Sequence, residues 1–237
     1  MRLPRVLIFT VTYEGKDYCR ERFTEHLESI NYPKDYYRHI WIDNSVSEDY
    51  FHLLQDKYGT ENVFHTLRGA NSREALTRCQ EMARKLAIKD DYDYLMSLES
   101  DILVPPNIIQ RLLGHAKKVV SILYFIGDRS KGERIPCLTL PEFSEELGAW
   151  GSRLLKPEEF IEYLNVGLVS VHAAGMGGCL ISKEVFKDIV FYYDPRFKGH
   201  SDIYFFQDCF IKRIPVYVDT DTVCEHLNSS WELVKDR

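Results

Sequence analysis

The stretch YLMSLESDILV, Tyr94 to Val104, decides how this chain is read. An apolar run, YLMSL, reads as a strand and leads straight into Glu99-Ser100-Asp101. A second apolar run, Ile102-Leu103-Val104, follows, and Pro105-Pro106 closes the segment. Glu99 and Asp101 are two apart, so in extended chain their side chains point the same way. Two carboxylates in apolar surroundings repel each other and lose hydration, which costs on the order of several kcal/mol unless something compensates. A hard divalent cation compensates, and Mg²⁺ or Mn²⁺ takes oxygen ligands together with substrate phosphates. The plainer alternative has Asp101 capping the turn before the prolines while Glu99 faces solvent.

Outward from this segment, strand and helix patterns alternate. Residues 6–12 form a compact apolar strand, and 17–30 read as a helix stopping before Asn31-Tyr32-Pro33. A second strand covers 38–43 (RHIWID), a short helix falls near 50–57, and a third strand covers 62–67. The clearest helix spans about 72–87, where Ala75, Leu76, Cys79, Met82, Ala83, Leu86 and Ala87 keep the helical repeat. Asn71 caps it and Glu74 completes a capping box. Strands separated by helices predict parallel pairing in a sheet covered on both faces. Ligands of such sheets sit beyond the carboxyl ends of the strands, which singles out residues 10–14, Asp43-Asn44 and residues 99–101.

The second half is less periodic. Residues 127–160 carry prolines and charges and predict a long loop or lid. Residues 166–172 and 176–182 read as strands around Ala173-Ala174-Gly175, as in a hairpin. A helix follows at 183–189. Ile203, Phe206, Phe210, Ile211 and Ile214 mark another after Gly199-His200-Ser201-Asp202, and 216–219 is a last strand.

At 237 residues, 45% hydrophobic and 28% charged, the chain suits one substantial domain. A net charge of −6 argues against nucleic acid as the partner. Six cysteines without a CxxC pair predict reduced, buried thiols. The apolar start is too short for a secretion signal, and VVSILYFI (119–126) is too short for a transmembrane segment, so a cytoplasmic protein is expected.

In this order the residues resemble glycosyltransferases of the GT-A fold, family-2-like. The resemblance runs from the first strand to His226. It implies an α/β fold: a single Rossmann-like GT-A domain over 1–237, a mostly parallel central sheet with helices on both faces, and a small C-terminal acceptor-side sheet. Residues 1–126 would bind the nucleotide sugar and 127–237 would hold the acceptor and the catalytic group. Glu99-Ser100-Asp101 looks like the DxD metal motif in an ExD form, with Asp101 the direct ligand of Mn²⁺ or Mg²⁺, Glu99 assisting, and Ser100 beside the donor. Thr10, Thr12 and Tyr13 match the nucleotide loop, Tyr13 by stacking on the base. Asp43 matches the acid that hydrogen-bonds base or ribose. Arg73, or Arg68, would meet phosphate, although this chain departs from the usual Arg-Asn order. Gly175–Gly178 resembles a small-residue segment that lets substrate approach the backbone. Asp202 falls on the catalytic-base position of inverting members, and His226 on a C-terminal metal or diphosphate ligand. The resemblance thus implies transfer of a hexose or similar sugar from a UDP- or GDP-sugar to a glycan or other hydroxyl acceptor.

Each residue also admits a structural role. Asp43-Asn44-Ser45 suits a turn, Arg73 a solvated helix start, Ser201 or Asp202 a helix cap, and His226 a packed core histidine. Three other readings stay open: a retaining transferase of the Anp1 type, a sugar-phosphate nucleotidyltransferase lacking its Gly-rich signature, and a non-catalytic nucleotide- or sugar-binding module.

Overall fold

A computed structural model of the chain describes residues 2–127, 135–146, 148–155, 159–196 and 199–227. The elements, in order, are β1 (Val6–Thr12), α1 (Arg20–Glu28), β2 (Tyr37–Asp43), α2 (Asp49–Tyr58), β3 (Val63–His65), α3 (Ser72–Lys89) and β4 (Tyr94–Leu98). There follow β5 (Ile102–Leu103), α4 (Ile108–Gly114), β6 (Val119–Leu123), β7 (Phe125–Ile126), β8 (Ile135–Pro136), β9 (Leu138–Ser144) and β10 (Ala149–Leu154). The chain continues through β11 (Leu168–Val171), β12 (Ala173–Ala174), β13 (Gly178–Ser182), α5 (Lys183–Asp188), α6 (Ser201–Ile211), β14 (Val216–Val223) and β15 (Glu225–His226).

Eight strands make the central sheet in the order β11-β14-β6-β13-β4-β1-β2-β3. β1 pairs in parallel with β2 and β4, β2 with β3, and β14 with β6. β13 is inserted antiparallel between β4 and β6, and β11 lies antiparallel on β14. The mixed α/β architecture, mostly parallel with small antiparallel sheets beside it, is the one the sequence predicts.

Alternation along the central strands explains the two helical layers. Leu7 and Phe9 of β1, with Ile40 and Ile42 of β2, join one core cluster that includes Cys79 and Ala83 of α3, Val185 of α5 and Phe205 of α6. Val6, Ile8 and Trp41 point the other way and pack with Phe23 of α1, Leu54 of α2 and Ile108 of α4. Each side chain of this size contributes about 1.5–3 kcal/mol on burial. Asn71 caps α3 as expected, accepting from the backbone N–H of Arg73 and Glu74 at 3.0 and 3.1 Å, whereas Glu74 accepts at 2.8 Å from the N–H of Ala70, one residue before the cap.

Two expectations for the second half are corrected. Residues 166–182 do not form a hairpin: β11 pairs with β14, whereas β13 pairs with β4 and β6. Pairing at those distant edges buries all five residues of β13, which a mutual hairpin would leave half open. Within 127–160, β9 and β10 pair antiparallel and β12 adds to β9, giving a three-stranded sheet where a lid was expected. Residues 128–134, 147 and 156–158 of that stretch lie outside the described residues.

Candidate metal and donor site

Glu99-Ser100-Asp101 sits at the carboxyl end of β4, but not in extended chain. Ile102 N donates to Glu99 O at 3.1 Å, closing a turn, and Glu99 N donates to Gly177 O at 2.9 Å. The two carboxylates converge through this turn rather than through strand alternation. Asp101 is fully buried and Ser100 nearly so, while Glu99 is half-buried. Ser100 Oγ lies 3.9 Å from the Cys19 thiol, packed inward.

A distant pairing delivers the third member. β15 lies antiparallel on β5 with His226 opposite Ile102, and Leu227 N donates to Asp101 O at 2.7 Å. His226 Nδ1 then donates to the Phe125 carbonyl at 2.9 Å, which turns Nε2 to Asp101 Oδ2 at 3.4 Å. This is the arrangement by which an imidazole is held ready as a ligand. Ligand atoms of Glu99, Asp101 and His226 all lie within 4.8 Å of one another. Asp101 Oδ1 is buried without a hydrogen-bond partner among the described residues. Two carboxylates, one imidazole and an orphaned carboxylate oxygen suit Mn²⁺ or Mg²⁺ with further ligands from phosphate.

Lys16, which no sequence motif marks, points into the same group. It follows β1 in the turn Glu14–Cys19 and ion-pairs with Asp101 Oδ2. The signal for it was the same unbalanced charge that suggested a metal, met here by the one lysine in the loop after the first strand.

The electrostatics are those of mixed charges held out of water. Burial, then the Asp101 charge, pushes Glu99 up to about 7. Burial also works to raise Asp101, but the His226 hydrogen bond and the Lys16 charge outweigh it and hold that carboxyl at about 2. Burial works to lower His226 and Lys16, and in both the Asp101 carboxylate wins and raises the group above its ordinary value.

Asp202 lies within electrostatic reach, its charge adding to the rise of Glu99. Burial raises its own carboxyl, and its Oδ1 accepts from Ile203 N at 2.8 Å. No side chain caps α6 at His200; Ser201 instead bonds Gln80 and fixes the helix to α3.

Thr10, Thr12, Tyr13 and Asp43 fall at the carboxyl ends of β1 and β2, with particular partners. Thr10 is fully buried with its hydroxyl 2.8 Å from His39 Nε2. Thr12 Oγ1 is buried, with no partner within hydrogen-bond distance among the described residues. The Arg68 guanidinium lies over the Tyr13 ring at 4.9 Å. Asp43 is fully buried with both oxygens engaged: Oδ1 accepts from Ser45 Oγ at 2.7 Å, and Oδ2 lies 2.8 Å from His65 Nδ1. The structure thus assembles the acid with Ser45 and His65. Arg73 lies at the start of α3 with its guanidinium 5.8 Å over Tyr193.

Packing also requires glycine at and just before the start of β13. A Cβ on Gly175 would stand 1.9 Å from Tyr124 Oη, and one on Gly178 would stand 2.1 Å from Ile122 Cδ1. The protein's own side chains fill the Cβ direction of these glycines. All six cysteines are free thiols, Cys137 half-buried and the others buried.

No protein-family model matches the chain, and no curated protein matches it in sequence. Solved structures do match in fold. A197 from STIV superposes with a TM-score of 0.51 at 15% identity, over 94% of this chain and 85% of that one. S. aureus TarS 1–349 in complex with UDP superposes at 0.58 and 16% identity, covering 93% of this chain and 59% of that one. The same protein in complex with UDP-GlcNAc gives 0.58 at 15% identity, covering 96% and 61%. The present chain therefore spans about three fifths of the TarS 1–349 chains and 36% of the longer TarS chain that it also matches. The fold is GT-A-like. No described helix is long and apolar enough to cross a membrane.

Proposed function

We propose that this chain is a metal-dependent glycosyltransferase, moving a sugar from a nucleoside-diphosphate sugar to a hydroxyl of a glycan or other acceptor. The observation that carries the reading is the convergence of Glu99, Asp101 and His226 at the carboxyl end of a central strand in a GT-A-like fold. The TarS structures in complex with UDP and UDP-GlcNAc support a nucleotide-sugar donor on that fold.

Asp101 and His226, with Glu99 assisting, would hold Mn²⁺ or Mg²⁺. Such an ion supplies a counter-charge for the diphosphate leaving group. Thr12 and Tyr13 would meet the base, with Asp43 orienting Ser45 and His65 beneath it. Arg68 or Arg73 would meet phosphate, while Thr10 and Ser100 support the donor loop from behind. These residues belong to the half 1–126; acceptor binding falls to 127–237.

Asp202 would act as general base. Its carboxylate takes the acceptor hydroxyl proton as that oxygen bonds to the anomeric carbon, and the bond to the diphosphate breaks with its electron pair leaving on phosphate. Burial strengthens Asp202 as a base, and a single displacement of this kind inverts the anomeric centre. The expected test outcome is a loss of about 10²–10⁴-fold in donor turnover for Asp202→Asn with donor affinity retained. Full turnover in that variant removes the assignment, and nucleotide binding with no hydrolysis or transfer in the wild type favours the binding module instead.

A further inference from the structure

The oxygen of Asp101 that faces His226 already holds a cation. Lys16 Nζ donates to Asp101 Oδ2, and local backbone bonds fix the direction from which it does so. Lys16 N donates to Tyr13 O at 2.8 Å, and Lys16 O accepts from the Cys19 thiol at 3.0 Å. The residue is thereby set in the tight turn immediately after β1. Its side chain is 22% exposed and that of Asp101 is 0% exposed, so the stem runs from the surface down to a fully buried carboxylate.

We propose that Lys16 is the resident counter-cation of the Glu99–Asp101 pair, and that a divalent ion enters the site by displacing its ammonium. The inference rests on the metal-site reading given above.

Three features of the chain carry it. The carboxylates need a positive charge whether or not a metal is bound, because both have lost hydration and they repel each other. An ammonium and a divalent ion on one buried carboxylate repel each other with little solvent screening, so their occupancies oppose. Lysine suits an exchangeable role: its charge is compact and sits on a flexible four-carbon stem, unlike the planar fork of arginine. The displaced ammonium keeps its turn and stays close to whatever phosphate the ion recruits.

Direct Mn²⁺ titration of the whole chain at pH 8, followed by electron paramagnetic resonance of the free ion and without nucleotide, tests whether the ammonium opposes the ion. Removing the competitor in Lys16→Met is expected to tighten Mn²⁺ binding by about tenfold or more, the scale of coupling between groups that share one partner. Lys16→Arg, which keeps the charge, is expected to stay near the wild-type affinity. Lys16→Gln serves in place of the methionine variant if that one does not fold. Unchanged or weaker Mn²⁺ binding in the uncharged variants overturns the proposal and leaves the metal site standing. Absence of binding in the wild type and in every variant overturns both.

Discussion

His226 Nε2 lies 3.4 Å from Asp101 Oδ2 although almost the whole second half of the chain runs between the two residues. Two backbone features close that span. β15 pairs with β5 directly after the Glu99–Asp101 turn, and the Phe125 carbonyl accepts the Nδ1 proton of the imidazole. The metal-ligand reading of His226 thus depends on a two-residue strand pairing and one backbone acceptor, both independent of any bound ion.

Metal affinity should fall steeply on acidification. Glu99 is raised to about 7 and His226 is raised above its ordinary value, and a cation needs the first ionised and the second neutral. Protons compete for both, so affinity is gained as pH rises through this range and lost below it, by about tenfold per pH unit for each proton displaced. Mn²⁺ titrations between pH 6 and 8.5 check this. An affinity flat with pH would mean that neither group is a ligand.

The packing reason for the β13 glycines is open to a double-mutant cycle. Gly178→Ala should destabilise the protein by about 1–3 kcal/mol through overpacking against Ile122. Ile122→Ala alone should cost about 2–5 kcal/mol through the cavity it leaves. Because the new methyl fills part of that cavity, the pair should cost about 1 kcal/mol less than the sum. Urea unfolding of the four proteins supplies the numbers, and strict additivity would show that the glycine serves something other than Ile122.

Asp219 gives the fold a pH-dependent clasp away from the site. Its buried carboxylate accepts from Arg111 Nη2 at 2.8 Å and lies 3.0 Å from His115 Nε2. Burial works to raise the group, but its bonds to Arg111 and His115 outweigh that and hold it below the usual range. A depressed folded value means that the contribution is fully present above the unfolded value of about 4 and disappears as pH falls further. Asp219→Ala should cost roughly 1–3 kcal/mol at pH 7, less than a fully buried pair because Arg111 reaches solvent. Thermal unfolding from pH 7 down to 3 should bring the wild type and the variant together.

The nucleotide half was legible because local rules govern it. The 3.6-residue repeat and Asn71 cap set α3, and apolar runs set β1, β2 and β4. The acid pair was also legible, though for an incomplete reason. Its side chains converge through a turn that Gly177 O and Ile102 N stabilise, and no periodicity announces such a turn. The second half was read less well because its pairings are distant. β13 enters between β4 and β6, and only tertiary packing, not the sequence around Ala173-Ala174-Gly175, directs it there. Lys16 escaped notice because nothing local ties a loop lysine to a carboxylate at another strand end. Asp43 kept its strand-end position, while its bonds to Ser45 and His65 depend on β3 arriving alongside.

The central claim is that Asp101 organises donor binding through a divalent ion. Calorimetric titration of UDP- and GDP-sugars into the wild type and Asp101→Asn, each with Mn²⁺ and with chelator, tests it most directly. Binding that needs both the ion and Asp101 is the predicted result. Donor binding that survives chelation and is unchanged in Asp101→Asn would contradict the account.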